Sequence, residues 1–447
     1  MKKISILLAG LIISFSTLAQ DTTARKLEEL TDAFYQAGRF NGSVLIATQG
    51  KILLQKGYGI KNADQHSAND ANSIYQIASI TKSFTSTLIL KMVELKKLSL
   101  DDPLSRFFKG FVHGDSITIR MLLNHTSGIH NLTETDSFFT VADEAGHLAF
   151  IKSLPADFLP GQGWHYSNSG YIILGYVATK AAGMSYWQAI RKYIFEPLQM
   201  NNSGFDFAHL AAKEKSQGYD MLNATESRPA YTTDSTVPFA AGSIYSSVPD
   251  LYKFHRGLQQ YKIVPAHIMN RAYERAEQNS YGFGWQIDSV LGKKMVSHSG
   301  SISGFGSNFA RITADDVCII LLSNKSGSTF ETINMTDRLL AALYGHPYKI
   351  PVKRIPVALS EDVLKSYEGT YEIAEPHLIV EINLENGKLI ARPHRGPPSP
   401  LLAVNNVVFY SETDEELEII FGRDAAGKVI QLTVNMRDKT RIAKKIK

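Results

Sequence analysis

The chain has 447 residues, of which 44% are hydrophobic, 10% aromatic and 20% charged, a composition that supplies a large core and excludes a disordered or fibrous protein. Its one cysteine, Cys318, excludes a disulfide-stapled fold and any cysteine-based zinc or redox site. Lys and Arg exceed Asp and Glu by 47 to 43, two of these cations are Lys2 and Lys3, and the only basic cluster is the tail Arg441–Lys447, too little for a nucleic-acid footprint.

Residues 1–19 have the layout of a secretory signal peptide: basic Lys2-Lys3, an apolar run Ile4–Phe15, and small residues around Thr17-Leu18-Ala19, with cleavage expected before Gln20. The run is too short to span a bilayer, and no later segment approaches 18 apolar residues. The expectation is an exported protein, periplasmic or secreted, that is not integral to a membrane.

Residues 24–38 read as an amphipathic helix with Leu27, Leu30 and Phe34 on one face. Gly42–Thr48 and Lys51–Tyr58 read as strands joined in a hairpin at Gln49-Gly50. Ser79–Leu98 reads as a long helix, with Phe84, Leu88, Met92 and Leu95 at steps of three and four. The middle, about 100–280, mixes helical and loop signals, with polar, glycine-containing turns at 125–131 and 161–170 and a helix near 171–183. Strand-like runs follow at Phe283–Ile287, Lys294–Val296, Gly306–Ile312 and Val317–Leu322, the last holding Cys318 as a small core residue, and a helix at about 330–344 closes the block. Strands at both ends and helices between them predict an α+β domain over 20–345 whose antiparallel sheet pairs the two ends.

Pro347, Pro351 and Pro356 mark a stiff linker over 346–359. Beyond it, Leu378, Val380, Ile382 and Leu384 alternate, and Asn386-Gly387 is a strong hairpin signal. Residues 360–447 are expected to form a small antiparallel β domain resembling a barrel.

Three motifs carry chemistry. Ser79-Ile-Thr-Lys82 is the only Ser-x-x-Lys in the chain. At a helix start this spacing puts the lysine amine beside the serine hydroxyl, where an amine whose pKa is lowered by burial and neighbouring cations can take the hydroxyl proton. The helix N-terminus adds N–H groups that suit an oxyanion. Tyr166-Ser-Asn168 is the only Tyr-x-Asn. A tight polar loop can present a phenol, its pKa lowered by cations, for proton transfer and an amide for a substrate carbonyl. His298-Ser299-Gly300 shares its pattern with His255-Arg-Gly257 and His394-Arg-Gly396, but only the first follows a strand-like run and leads into Ser301-Ile-Ser-Gly304-Phe-Gly306, where a glycine-lined strand edge admits a substrate backbone. Each motif alone also reads as ordinary structure: a solvated helix start, a turn with a packed tyrosine, a strand end.

Together, in this order, the motifs resemble the serine β-lactamase and penicillin-binding-protein superfamily, in particular its soluble DD-peptidase, class C β-lactamase and esterase branch. Phe40-Asn-Gly42-Ser-Val-Leu-Ile46, Leu122-Leu-Asn-His125-Thr-Ser-Gly128, Ala241-Gly-Ser-Ile-Tyr-Ser246 and Tyr281-Gly-Phe-Gly-Trp285 are similar to the same family, over about 25–345. The region after 360 resembles the lipocalin-like domain appended to many members. The resemblance implies Ser79 as acyl-ester nucleophile, Lys82 assisting its deprotonation and Tyr166 as proton shuttle, and leaves open whether Lys82 or Tyr166 is the working base. It implies Asn168, His298, Ser299 and Gly300 as substrate-binding residues, with His298 where class C β-lactamases hold a lysine. The N–H groups of Ser79 and Ser301 would form the oxyanion hole. His125 reads as structural, since Lys82 and Tyr166 already fill the base role.

No Gly-x-Ser-x-Gly, HExxH or P-loop is present, so no metal or cofactor is expected. The expected activity is hydrolysis through an acyl-enzyme of D-amino-acid peptides or related amides, DD-carboxypeptidase-like. A carboxylesterase, a weak class C-type β-lactamase and a non-catalytic peptide-binding protein are the alternatives, and the complete motif set speaks against the last. The sequence carries no signature of oligomeric state.

Overall fold

The structure, a computed structural model, describes residues 22–447 except 136–142, 224–225, 277–278, 376, 395–397, 413–416 and 437–438. The expected signal peptide lies outside the described residues. Helix α1 covers residues 22–36. Strands β1 (Gly42–Thr48) and β2 (Lys51–Tyr58) follow, and four later strands, β3 (Gln286–Val290), β4 (Lys293–Ile302), β5 (Phe305–Ile312) and β6 (Val317–Ser323), complete one sheet. Its order is β2-β1-β6-β5-β4-β3, antiparallel throughout. The two ends of the domain therefore meet at the β1–β6 ladder, where Leu45 faces Ile320.

Period-two alternation sorts these strands between two cores. Val44, Ile46, Ile319 and Leu321 pack with Leu27, Leu30 and Phe34 of α1 and with Met335 and Leu339 of helix α5 (Thr329–Leu343). Leu45, Ala47, Cys318 and Ile320 face the opposite core, which holds helices α2 (Thr81–Glu94), α3 (Asn168–Ala182) and α4 (Val248–Gln259). Helices on both faces explain why β1 and β6 are buried almost end to end rather than on one side.

Helix α2 is the centre of this second core. Phe84 stacks on Phe254 of α4 with ring centroids 3.9 Å apart, and full burial of such side chains contributes about 1.5–3 kcal/mol each. Every residue from Thr81 to Leu90 is buried, so this part of the helix has no wet face. The expected helix over 79–98 is shorter in the structure. Ser79 lies in a 3-10 turn (Ala78–Ile80), α2 ends at Glu94, and Leu95 is exposed at its C-terminus.

Two strand expectations also change. The run Phe283–Ile287 is loop until Gln286, because Gly284 takes φ +75° and turns the chain against α2. A Cβ there would stand 2.6 Å from the Lys82 carbonyl. The three-residue strand expected at 294–296 is instead ten residues long, because its ladder with β5 continues through His298↔Phe309 to Ile302↔Phe305.

The chain divides into two compact units at Pro351/Val352. In the second, eight strands, β7–β14 (Gly369–Ile373, Leu378–Glu385, Lys388–Pro393, Ser399–Ala403, Val408–Ser411, Leu417–Arg423, Val429–Met436 and Lys439–Lys445), close into an antiparallel barrel. Asn386 and Gly387 both take positive φ in the β8–β9 hairpin, as the Asn-Gly signal predicts. Tyr367, Tyr371, Phe409 and Phe421 pack together with Ile382, Leu389 and Leu432 in its core, so side chains fill this barrel.

Candidate active site

Ser79 sits where chain direction changes sharply. Ala78 before it has φ +48°, a left-handed conformation that costs a non-glycine residue about 1 kcal/mol, and the 3-10 turn then runs straight into α2. Lys82, in the first turn of α2, is fully buried. Its Nζ lies 3.0 Å from Ser79 Oγ, 2.7 Å from Asn168 Oδ1 and 2.8 Å from the Ala241 carbonyl. Burial holds the amine well below the usual lysine range, and burial alone does so, where the sequence reading also invoked nearby cations. An uncharged Nζ has two protons, enough for the two carbonyl-type acceptors, and its lone pair is left for the Ser79 hydroxyl.

Tyr166 and Asn168 reach this amine from the start of α3. Ser167 caps the helix by accepting the Gly170 N–H, and the Asn131 side chain accepts the Asn168 N–H at 3.1 Å. Asn168 Nδ2 donates to Thr133 Oγ1 at 3.1 Å, which turns its Oδ1 toward Lys82. Lys82 Nζ lies 4.9 Å from the centre of the Tyr166 ring. Burial pushes the Tyr166 phenol well above its ordinary pKa, with the Ser79 side chain pulling it back only in part. This corrects the expectation of a phenol made acidic by cations: desolvation disfavours the phenolate.

His125, at φ +64°, grips the same turn. Its carbonyl accepts the His165 N–H and its Nδ1 accepts the Ser167 N–H, each at 3.1 Å. Nδ1 is thus an acceptor and Nε2 carries the proton. The ring is enclosed by Tyr166 (4.5 Å), Tyr281 (4.6 Å), Tyr171 (5.2 Å) and Trp164 (6.2 Å), and burial, then Lys82 and His298, push its pKa well down. On the other side of this turn, Asp157 bridges His130 and His165 at 2.6 Å each, and its hydrogen bond raises the His165 pKa.

The third wall is β4. Its pairing with β3 ends at Ser297, while its pairing with β5 continues, so among the described residues no strand pairs with the other side of residues 298–302, beside the Ser79 turn. Gly300 allows the approach: a Cβ there would lie 2.3 Å from the Ile77 carbonyl and 2.4 Å from Ser307 Oγ. Ser307 donates to that same carbonyl at 3.0 Å, and Thr329 donates to the Gly300 carbonyl at 2.8 Å. Ser299 is half-buried and Ser301 exposed, whereas His298 is buried.

His298 Nδ1 lies 2.6 Å from the Ser299 carbonyl and Nε2 lies 2.8 Å from Tyr281 Oη. A carbonyl only accepts, so Nδ1 bears the proton and Nε2 accepts from the tyrosine. Burial, then Lys82, lower the His298 pKa to about 3, and the ring is neutral.

The structure therefore joins Ser79, Lys82 and Asn168 by direct hydrogen bonds, sets Tyr166 against the Lys82 amine, and brings β4 alongside. His298 reaches the site but spends both nitrogens inside the protein. Sequence reasoning missed Tyr281, Ser307, Thr133 and Asn131 as members of this network. Tyr281 belonged to a quoted family-like stretch, and His125 to another, but neither had a local signal of its partner. Trp285 is wholly buried, and Trp164 is 37% exposed.

No helix among the described residues is long and apolar enough to cross a membrane. The beta-lactamase family model matches residues 22–344. Penicillin-binding protein 4* of Bacillus subtilis (strain 168) is 27% identical over 433 residues, covering 91% of this chain and 96% of that protein. The structure of an octameric penicillin-binding protein homologue from Pyrococcus abyssi superimposes with a TM-score of 0.67 at 26% identity, over 94% of this chain and 99% of that one. A D-amino acid amidase from Ochrobactrum anthropi SV3 shares the fold, with a TM-score of 0.60 at 23% identity over 71% of this chain and 99% of that one. The chain therefore belongs to the beta-lactamase family, within the serine hydrolase superfamily that also holds the penicillin-binding proteins.

Proposed function

We propose that this protein is an exported serine hydrolase that works through an acyl-enzyme on D-amino-acid peptides or related amides and esters. The observation that carries this reading is the desolvated Lys82 amine, 3.0 Å from Ser79 Oγ, with its other contacts taken by acceptors. Ser79 Oγ attacks the substrate carbonyl carbon as its proton passes to Lys82 Nζ. The oxyanion so formed takes the backbone N–H groups of Ser79 and Ser301. The tetrahedral intermediate collapses, the bond to the leaving group breaks, and Tyr166 relays a proton to it. Water then attacks the Ser79 ester and releases the acid.

The opposite shifts support this division. An amine held below its usual pKa can accept a proton near neutrality, while a phenol held above it stays protonated and can donate. Asn168 faces the substrate beside Lys82, with Ser299, Gly300 and His298 along the strand. Export rests on the leader-like residues 1–19. The D-amino-acid substrate class is supported by the fold shared with a D-amino acid amidase and by the relationship to penicillin-binding proteins. Steady-state hydrolysis of a short-chain p-nitrophenyl ester and of D-alanyl amides tests it. Ser79→Ala is expected to abolish turnover of both, and turnover unchanged in that variant contradicts the reading.

A further inference from the structure

We propose that His165 is a positioning residue for Asn168: as an imidazolium held between two carboxylates, it ties the segment 130–134 to the start of α3. It touches no reacting atom and acts through Glu134 and Asn131. The inference rests on the reading of Ser79 as nucleophile with Asn168 beside it.

Both ring nitrogens of His165 face carboxylates. Nδ1 lies 2.6 Å from Asp157 Oδ2, and Nε2 lies 3.1 Å from Glu134 Oε1. An ionised carboxylate only accepts, so both nitrogens donate and the ring is charged. The other oxygen of Asp157 accepts from His130 Nδ1 at 2.6 Å. The Asp157 hydrogen bond, then the charge of Glu134, raise the His165 pKa over the opposing cost of burial. Among the described residues, the titratable groups facing this ring are Asp157 from the loop before Tyr166, Glu134 from the turn after His130, and His130 itself, with ring centroids 6.4 Å apart. Buried His125, whose carbonyl accepts the His165 N–H, lies close enough to feel its charge.

The tie reaches Asn168 through one short turn. Glu134 Oε1 also accepts from Asn131 Nδ2 at 3.1 Å, and Asn131 Oδ1 accepts the Asn168 N–H at 3.1 Å. Within the same 3-10 turn (Leu132–Glu134), Thr133 Oγ1 accepts from Asn168 Nδ2 at 3.1 Å, and the Leu132 N–H donates to Ser169 Oγ at 2.9 Å. The segment thus grips Asn168 at two atoms, and Asn168 Oδ1 accepts from Lys82. Loss of one His165 proton leaves a lone pair facing a carboxylate. The closer Asp157 keeps its proton, so Glu134 is released, and the Asn131 amide loses its anchor.

The test is the pH profile of kcat/KM for the N-acetyl-D-alanyl p-nitrophenyl ester, corrected for the rate without protein, in wild type, His165→Gln and Glu134→Gln. The ratio of wild type to His165→Gln cancels what Lys82 and Tyr166 contribute. It should be about fivefold near pH 6 and fall to about one near pH 9, the size expected of a partly exposed ion pair. The ratio of Glu134→Gln to His165→Gln should stay near fivefold across the range, because the new amide N–H can donate to a neutral Nε2. A merely structural histidine would not give that signature. The His165 ring resonances in NMR, assigned by difference from His165→Gln, should titrate above the ordinary histidine value of about 6.5. A wild-type ratio that is one throughout or does not change with pH, an alkaline fall that persists in Glu134→Gln, or a His165 midpoint at or below about 6.5 overturns the inference. The NMR midpoint reads the imidazolium whether or not Ser79 is the nucleophile. Turnover that survives in Ser79→Ala, or none in wild type, removes the acyl-enzyme reading and this inference with it.

Discussion

His125 Nδ1 accepts the backbone N–H of Ser167 at 3.1 Å, and the His125 carbonyl accepts that of His165 at the same distance. One residue thus holds the peptide groups on both sides of Tyr166. This makes His125 a positioning residue for the phenol, which agrees with reading it as structural rather than as a base. His125→Ala is expected to lower kcat about 100-fold, the usual cost of a reacting group displaced by an ångström. His125→Asn keeps an acceptor near Nδ1 and should recover most of the loss. Ester kinetics on variants with matched melting temperatures check this, and equal activity in both variants would contradict it.

Gly300 allows β4 to lie against the Ser79 turn. An added Cβ would meet backbone, the Ile77 carbonyl, at 2.3 Å, so the strand itself has to move. Gly300→Ala is expected to cost about 1–3 kcal/mol of stability and to slow acylation about 100-fold, because the Ser301 N–H leaves the oxyanion position. Stopped-flow acylation together with urea unfolding measures both. A variant with wild-type acylation would show that β4 does not contribute to the oxyanion site.

The buried histidines set the acid limit of stability. His298 falls to about 3 and His255 to about 2, both through burial first, whereas an unfolded histidine titrates near 6.5. Between those values the unfolded chain binds protons that the folded chain refuses. Stability is therefore full above about pH 6.5 and is lost as pH falls toward 3, by up to about 1.4 kcal/mol per pH unit for each histidine. Urea midpoints at pH 7.5 and 5.0 should fall steeply in wild type and less steeply in His298→Gln. Identical slopes would contradict the assignment of His298 as neutral.

The local parts of this architecture were legible in the sequence. Ser79 and Lys82 are brought together by their spacing alone, Gln49-Gly50 and Asn386-Gly387 announce their hairpins, and β1 and β6 are visible as apolar runs. Long-range parts were not. Strand β4 continues through Ser299-Gly300-Ser301, residues of low strand preference, because β5 supplies the ladder, and tertiary pairing overrides propensity. The Tyr281–His298 hydrogen bond and the His125 clamp depend on loops that meet only in three dimensions. The Tyr166 shift was misjudged because cations are readable in a sequence and desolvation is not.

The central claim is that Ser79 carries the acyl group, and intact mass spectrometry after brief exposure of the purified protein to a fluorescent penicillin tests it most directly. The account predicts a single, slowly formed or slowly hydrolysed adduct, mapped to the peptide containing Ser79 and absent from Ser79→Ala. An adduct that persists in Ser79→Ala, or that maps to another residue, would contradict it.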